Sequence, residues 1–127
     1  MRTYLKETIK PLIPETVRNA LKSVTKYSRI CNTNGTDVNN VESTEDLWLP
    51  SMREMNFGGY ETMGPVYNRI FPDKASRVKM KVGASSASFW WFRSANNTSN
   101  FFGVNSSGYN YNYGANNSYP LALGFSN

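Results

Sequence analysis

Histidine is absent from this 127-residue sequence, and cysteine occurs once, at Cys31. Without histidine there is no imidazole base for a serine or cysteine nucleophile and no imidazole metal ligand. A single cysteine excludes an intrachain disulfide and a zinc site built from several thiolates. We therefore expect no cofactor, no metal and no enzymatic activity.

Long hydrophobic runs are also missing. No stretch approaches the roughly 20 apolar residues of a membrane span, and the N-terminus lacks the apolar stretch of a signal peptide. We expect no membrane insertion. The length suits one domain, 1–127, which we divide into a helical part (1–30), a loop-rich middle (31–87) and a sheet (88–127).

Charge of either sign is missing from the 34 residues that follow Arg93. The net charge of +5 arises in residues 1–30, which hold seven basic and two acidic side chains. A basic N-terminus suits either a nucleic-acid patch or a solvated helix face. Because no arginine-rich run or nucleic-acid motif accompanies it, we expect the solvated face and no nucleic-acid partner.

Two N-terminal segments show helical signals. Residues 3–10 predict a short helix that Pro11 and Pro14 stop. Residues 14–29 predict a longer amphipathic helix, because one stripe of apolar side chains recurs at helical spacing: Val17, Ala20, Leu21 and Val24.

The middle of the chain, residues 31–87, combines turn-forming residues with short apolar segments. Residues 31–46 predict an exposed acidic loop, whose carboxylate spacing does not match a calcium-binding loop. DLWLPS (46–51) predicts a short buried strand, after which Ser51 caps a brief helix. Alternation in ASRVKMKV (75–82) predicts another strand. Gly58 and Gly59 are predicted turn residues, because no phosphate-loop frame surrounds them.

Four short strands are predicted after residue 87, namely SFWWFRS, FFGV, YNYNY and PLALGF, with NSSG as one of the turns. They indicate a small, mostly antiparallel sheet with the N-terminal helices packed on it, which is an α+β fold. In SFWWFRS, Trp90 and Trp91 point to opposite faces. Arg93 shares a face with Trp91, and we expect it to stack there.

Asn, Ser and Tyr supply 18 of the 33 residues from Ala95 to Asn127. A disordered low-complexity tail has such a composition, but the apolar strand cores at regular spacing favour a folded segment. In YNYNY the tyrosines face one side and the asparagines the other, and the pattern leaves open which side meets solvent.

This mixture of residues is typical of recognition loops, because Tyr offers a large rigid contact and Asn and Ser offer adaptable hydrogen bonds. The lack of charge argues against a phosphate backbone as the ligand. We expect the contact surface to consist of Asn96, Asn97, Ser99, Asn100, Tyr109, Asn110, Tyr111, Asn112, Tyr113, Asn116, Asn117 and Tyr119.

With SFWWFRS, VNSSG, ANNSY and LALGF, the sequence resembles an uncharacterised domain family of phage and bacterial proteins that carries a WWLRS-type strand. RTYL, LKSV and DLWLPS extend the resemblance over nearly the whole chain. That family is similar to the variable proteins of diversity-generating retroelements. The resemblance implies a C-type-lectin-like fold and a C-terminal coding region in which adenines are rewritten, so that AAC-type codons yield Asn, Ser and Tyr.

The same resemblance implies binding to a protein or glycan on a host or target cell surface, from a phage virion or a bacterial surface and within a larger assembly. A homo-oligomer is compatible with it. Family members usually have strands ahead of RTYL, so the resemblance implies either a truncated sequence or an incomplete lectin fold. The calcium-dependent sugar motifs EPN and QPD are missing.

Two alternatives remain open. The first is a structural virion or decoration domain that packs the same Asn/Ser/Tyr surface against a neighbouring subunit. The second is a glycan hydrolase that uses Glu54 and Glu61, although neither carboxylate has a recognisable sequence context.

Overall fold

The computed structural model describes residues 1–58 and 60–126, so the turn expected at Gly59 lies outside the described residues. The chain has an α+β fold of short helices and small antiparallel sheets. None of the helices in these two ranges is long and apolar enough to cross a membrane.

In chain order the elements are α1 (Arg2–Tyr4), a π-helical turn (Leu5–Ile9), a 3-10 turn (Lys10–Leu12), α2 (Glu15–Ala20), β1 (Val24–Cys31), β2 (Asp37–Glu45), α3 (Lys74–Arg77), β3 (Lys79–Met80), β4 (Ala87–Ser88), β5 (Trp90–Ala95), β6 (Asn100–Val104) and β7 (Asn110–Gly114).

The N-terminal helical segment, residues 2–12, confirms the helix predicted over 3–10 and extends it at both ends. Leu5 buries its side chain in an apolar cluster. Two ion pairs attach the segment to the end of β2, Arg2 with Glu45 (2.5 Å) and Lys10 with Asp46. The segment ends where Ile13 becomes extended, as expected for a residue before proline.

The helix predicted over 14–29 is wrong beyond its first turns. Helix α2 stops at Ala20, and the chain then enters β1, with Val17 left 38% exposed. The apolar side chains of the predicted stripe are therefore not buried together on one face of a helix. From Val24 onward the β-branched and aromatic side chains favour a strand, and pairing with β2 supplies the long-range partner that a local pattern does not reveal.

The acidic loop predicted over 31–46 is also wrong, because most of it forms β2. Strands β1 and β2 make an antiparallel hairpin whose register runs from Val24–Glu45 to Cys31–Asp37. Gly35 closes the turn with a φ of 84°. The strand was missed because it is polar and mostly exposed, so it has no apolar period.

Two basic side chains of β1 correct the expectation of a solvated basic face. Lys26 and Arg29 are 4% and 9% exposed, so they lie inside the fold. Arg29 donates from Nε to the Ala95 carbonyl (2.8 Å) and pairs with Asp37 (2.6 Å). The strand carries these cations inward, which a helix over the same residues would have placed on the surface.

Residues 46–51 lie in the core, as expected, but form a single bridge between Trp48 and Gly124 rather than a strand. Ser51 caps the next segment, since its Oγ accepts from the Glu54 N–H (3.2 Å), yet that segment consists of turns and not a helix. Of the strand predicted over 75–82 only Lys79–Met80 forms, paired with Ala87–Ser88, because residues 74–77 form α3.

The C-terminal sheet confirms three of its four predicted strands, in the order β5-β6-β7 and antiparallel throughout. The turn at NSSG is confirmed by the bond from Gly108 N–H to the Asn105 carbonyl (3.0 Å). PLALGF does not join the sheet. It runs back to the first half of the chain, where Gly124 bridges to Trp48 and Ser126 to Lys22.

Each face of this sheet supports an apolar cluster. Trp90 and Trp91 point to opposite sides, as predicted, and both are buried. We call the cluster on the Trp90 side the inner cluster: Met52, Met55, Trp90, Phe92, Phe102 and Val104. The cluster on the Trp91 side, which the N-terminal helical segment covers, is the outer cluster: Leu5, Leu47, Leu49, Phe89 and Trp91.

Gly103 is the position in β6 where the outer cluster touches the sheet backbone. A Cβ at this residue would lie 2.2 Å from the Trp90 carbonyl oxygen and 2.3 Å from the Phe89 ring. Glycine at this position therefore lets the Phe89 ring approach the backbone of β6 closely.

We predict that Gly103→Ala lowers the free energy of unfolding by about 1–3 kcal/mol, because the added methyl displaces Phe89 or the backbone of β5. Gly58→Ala is the matched control, since a Cβ there meets nothing within 4 Å. Urea denaturation of both variants measures the difference. Equal stabilities would contradict the packing described for Phe89.

Candidate functional site

The tyrosines of YNYNY lie on the solvent side of the C-terminal sheet. Tyr111 pairs with Gly103 and Tyr113 with Phe101, so both share the face of the outer cluster. The N-terminal helical segment does not cover this end of the sheet, and the exposed fractions are 50% for Tyr109, 52% for Tyr111 and 36% for Tyr113. We call this exposed area the tyrosine face.

A row of aromatic rings connects the tyrosine face to the core. Tyr113 packs edge-on against Phe89 with ring centres 4.9 Å apart, and it lies 5.1 Å from Tyr119 and 5.2 Å from Tyr111. Tyr119 in turn contacts Trp91 at 5.6 Å. Each such ring pair stabilises the folded state by about 0.5–1.5 kcal/mol, so the row holds the exposed rings in fixed positions.

The asparagines of the same strand lie on the opposite face. Asn112 is half-buried and its Oδ1 accepts from Asn100 Nδ2 (3.1 Å), whereas Asn110 is exposed. The amide pair across β6 and β7 therefore belongs to the framework, and Asn110 is the amide of this strand that is left to solvent.

The loop between β5 and β6 uses its polar side chains to hold its own backbone. Asn97 Oδ1 accepts from the N–H groups of Ser99 (2.9 Å) and Asn100 (2.8 Å) and from the Ser99 hydroxyl. Asn96 is half-buried and its carbonyl accepts from Arg29 (3.1 Å). Turn formation explains Asn97 and Ser99, whereas Asn96 is bound through its backbone and the Asn100 side chain bonds to Asn112.

In the loop after β7, Asn117 Nδ2 donates to the Gly114 carbonyl (3.0 Å) and Tyr119 is half-buried in the aromatic row. Asn116 is exposed. The twelve predicted residues thus divide into a framework set, in which Asn97, Ser99 and Asn117 are exposed but bonded within turns, and a smaller set on or beside β7 whose exposed side chains make no such turn bond. The outward set is Tyr109, Asn110, Tyr111, Tyr113 and Asn116.

One charged side chain joins this surface, which the sequence did not indicate. Lys74 Nζ donates to the Tyr109 hydroxyl (2.5 Å) and lies 4.3 Å from the centre of its ring. The approach is close because the backbone of Lys74 abuts Gly108, where a Cβ would lie 2.1 Å from the Lys74 carbonyl. The two residues are 35 positions apart, and no local pattern links them.

A cleft of about 460 Å³ adjoins the aromatic row, also unforeseen from the sequence. It lies between the N-terminal helical segment and the loop after β7, and its lining includes Tyr4, Trp91, Phe101, Asn117 and Tyr119. Because one wall comes from residues 1–5 and the others from beyond residue 90, only the folded chain forms it.

Glu54 lies in the core with an exposed fraction of 2%. It accepts from Lys26 Nζ (2.9 Å), from Arg93 Nη1 (2.6 Å) and from the Ser51 N–H (3.0 Å). Arg93 does not stack on Trp91 as expected, because its guanidinium is directed to Glu54 and to the carbonyls of Leu49 and Tyr27.

Burial by itself would raise the pKa of Glu54, but the hydrogen bond and charge of Arg93, together with those of Lys26, outweigh it and lower the pKa. The carboxylate is therefore ionised in the folded protein. Lys26 also lies 3.9 Å from the centre of the Trp48 ring, so its ammonium has both an anion and an aromatic face as partners.

Glu61, the other carboxylate considered for hydrolysis, is 4% exposed. Its Oε1 accepts from the Arg29 N–H (2.8 Å) and from the Ser94 hydroxyl. Both carboxylates thus bind framework groups of β1 and β5. In the part of the chain that the structure describes, no three Asp, Glu or Cys side chains form a candidate metal cluster.

We predict that Glu54→Gln lowers the free energy of unfolding at pH 7 by about 3–5 kcal/mol, because it leaves Lys26 and Arg93 buried without their anion. The pKa of Glu54 is lower in the folded state, so its stabilisation is present above its ordinary pKa of 4.5 and disappears as the pH falls through the folded value. The difference between wild type and variant must shrink in acid.

Urea denaturation at neutral pH and at about pH 3 measures this difference, within the range where carboxylates titrate. Glu42→Gln, an exposed carboxylate of β2, is the control and should change stability by less than about 0.5 kcal/mol. A Glu54→Gln loss that matches the control, or that is independent of pH, would contradict the ionised network.

Taken together, the fold and the surface define a small α+β domain that presents an outward set of tyrosine and asparagine side chains on an antiparallel sheet. A family model described as a domain of unknown function, DUF6273, matches residues 1–120, and the chain therefore belongs to that family. No curated protein matches the sequence, and no solved structure matches the chain.

Proposed function

We propose that this chain is a ligand-binding domain that recognises a protein or glycan on a target cell surface through the outward set of tyrosine and asparagine side chains. The observation that carries the proposal is the contrast between two adjacent strands. Tyr111 and Tyr113 of β7 are 52% and 36% exposed, whereas Phe102 and Val104 of β6 are buried.

The chemistry of the outward set supports recognition of an uncharged surface. Tyrosine rings held in a packed row lose little entropy on binding, and the amides of Asn110 and Asn116 offer a donor and an acceptor each. Lys74 beside Tyr109 is the cation in contact with this surface. One cation does not suit a phosphate backbone, whose recognition requires several.

We further propose that the surface is diversified by a retroelement on a C-type-lectin-like fold, within a phage virion or on a bacterial cell surface. The arrangement of helices packed on small antiparallel sheets is compatible with that fold. The outward positions hold Asn and Tyr, which AAC-type and TAC-type codons encode, while the framework positions beneath them hold Trp, Phe and Val.

Sequencing this locus across isolates tests the proposal directly. We expect substitutions to concentrate at Tyr109, Asn110, Tyr111, Tyr113 and Asn116, because these five side chains are exposed. The matched controls lie on the same sheet and should not vary: Trp90, Phe102 and Gly103. The same reads should show adenine-rich codons at the varied positions.

An invariant outward set would instead favour the structural alternative, a virion or decoration domain that packs this surface against a neighbouring subunit. Substitutions spread evenly over the chain would contradict both readings. If the positions vary but their codons show no adenine bias and no reverse transcriptase gene lies nearby, the proposed diversification by a retroelement is contradicted. The proposed ligand recognition would still stand.

A replaceable surface must also be dispensable for folding. We predict that the triple variant Asn110→Ser, Tyr111→Ser, Asn116→Ser lowers the free energy of unfolding by no more than about 1.5 kcal/mol, because the Tyr111–Tyr113 ring contact is the one described aromatic contact that is lost. Phe102→Ala, on the adjacent strand and 4% exposed, is the contrast and should cost about 3–5 kcal/mol. Urea denaturation compares them, and a large loss in the triple variant would assign these side chains to the framework.

A further inference from the structure

Strand β7 has a free edge. Within the part of the chain that the structure describes, it pairs only with β6, which is the middle strand of the sheet. Asn105 N–H donates to the Tyr109 carbonyl (2.8 Å) and Ala115 N–H donates to the Ser99 carbonyl (2.8 Å). Because antiparallel ladder bonds alternate, the odd-numbered residues of β7 bond to β6, and the backbone groups of Asn110 and Asn112 point away from it.

These outward backbone groups have no hydrogen-bond partner among residues 1–58 and 60–126. The Gly114 carbonyl differs, because it accepts from the Asn117 N–H (3.0 Å). The open stretch therefore comprises the N–H and C=O groups of Asn110 and Asn112, which lie on either side of Tyr111.

The opposite edge of the same sheet is covered. In β5, the Arg93 N–H donates to the Pro50 carbonyl (2.9 Å) and the Trp91 N–H to the Pro120 carbonyl (3.3 Å). Natural proteins protect exposed edges with charged side chains, proline or bulges. Strand β2 carries three carboxylates, whereas β7 carries no charge, no proline and no irregularity in its pairing.

We propose that the β7 edge pairs with the β7 edge of a second copy of this chain, in an antiparallel and two-fold symmetric arrangement. Around a two-fold axis each side chain lies near its own counterpart, so a charged edge would repel its copy. An edge composed only of Asn, Tyr and Gly meets no such repulsion. The pairing extends two three-stranded sheets into one sheet of six strands.

The free backbone groups also determine the register. Asn110 and Asn112 exchange hydrogen bonds with Asn112 and Asn110 of the second copy, because the Gly114 carbonyl is occupied. Tyr111 then lies directly opposite Tyr111 of the second copy, at a pair position without hydrogen bonds where Cα atoms are about 4.5 Å apart. The tyrosine faces of the two copies lie on the same side of the joined sheet.

This pairing goes beyond the proposed recognition function and does not depend on it, because it uses the backbone edge and not the tyrosine face. A failure of one proposal therefore leaves the other intact. An extended segment of a different protein is the competing occupant of the edge, and the experiments below separate it from a second copy.

Disulfide trapping tests the register. In a Cys31→Ser background, Tyr111→Cys should form a disulfide-linked dimer under mild oxidation, because opposed Cβ atoms at this type of position suit disulfide geometry. Ser106→Cys, exposed in the NSSG turn and away from the edge, is the control. We expect crosslinking of Tyr111→Cys at micromolar protein to be at least about tenfold faster, because pairing raises the effective thiol concentration. Equal rates would overturn the proposed register.

A charge exchange tests the pairing without a crosslink. Light scattering should show concentration-dependent dimers of the unmodified protein, whereas Tyr111→Lys and Tyr111→Glu should each be monomeric, because like charges meet at the axis. Mixing the two variants should restore a dimer, which a folding defect would not allow. If the wild-type protein stays monomeric up to about 1 mM, which is the Kd of the weakest specific contacts, the proposal is overturned. The occupant of the β7 edge would then be an extended segment of a different protein.

Discussion

The buried carboxylate of Glu54 holds together the parts of the chain on which the surface is built. It joins Lys26 on β1, Arg93 on β5 and the backbone at Ser51, all within hydrogen-bonding distance. Arg93 extends the connection by donating to the Tyr27 carbonyl of β1 (2.8 Å). Removing such charges from water is costly, and the cost is offset only when every partner is in place. The network therefore fixes how the β1–β2 hairpin lies against the C-terminal sheet.

Within the same sheet, the strand that supports the apolar core, β5, differs from the strand that is exposed to solvent, β7. Both faces of the sheet support apolar clusters near β5, with Trp90 on one side and Trp91 on the other, so that strand is enclosed. Strand β7 is the last of the three, and among the described residues no further strand pairs with its outer edge. Its tyrosines touch the aromatic row on one side and remain exposed on the other, so the tyrosine face and the open edge both arise because β7 lies at the margin of the sheet.

Local sequence signals located the elements that depend on local chemistry. Aromatic runs at SFWWFRS and FFGV, the NSSG turn and the N-terminal helix were all found from residues next to one another. The β1–β2 hairpin was missed, because a polar strand bonded to another polar strand has no apolar period. The burial of Lys26 and Arg29 was missed for a related reason, since Glu54, which pairs with Lys26, and the Ala95 carbonyl, which accepts from Arg29, lie 28 and 66 positions away in the chain. Three of the twelve predicted contact residues, Asn97, Ser99 and Asn117, make side-chain hydrogen bonds within turns, a role that asparagine performs as readily as recognition.

By itself the sequence determined the alternation of YNYNY and the absence of charge around it, because side chains on a strand alternate and composition is independent of folding. Only the tertiary structure decided that the tyrosines meet solvent while Asn112 turns to Asn100. The N-terminal helical segment covers the outer face over Trp91 and stops short of Tyr111, a boundary set by the burial of Leu5 and by ion pairs to Glu45 and Asp46. Contacts between residues so distant in the chain leave no trace in a local pattern.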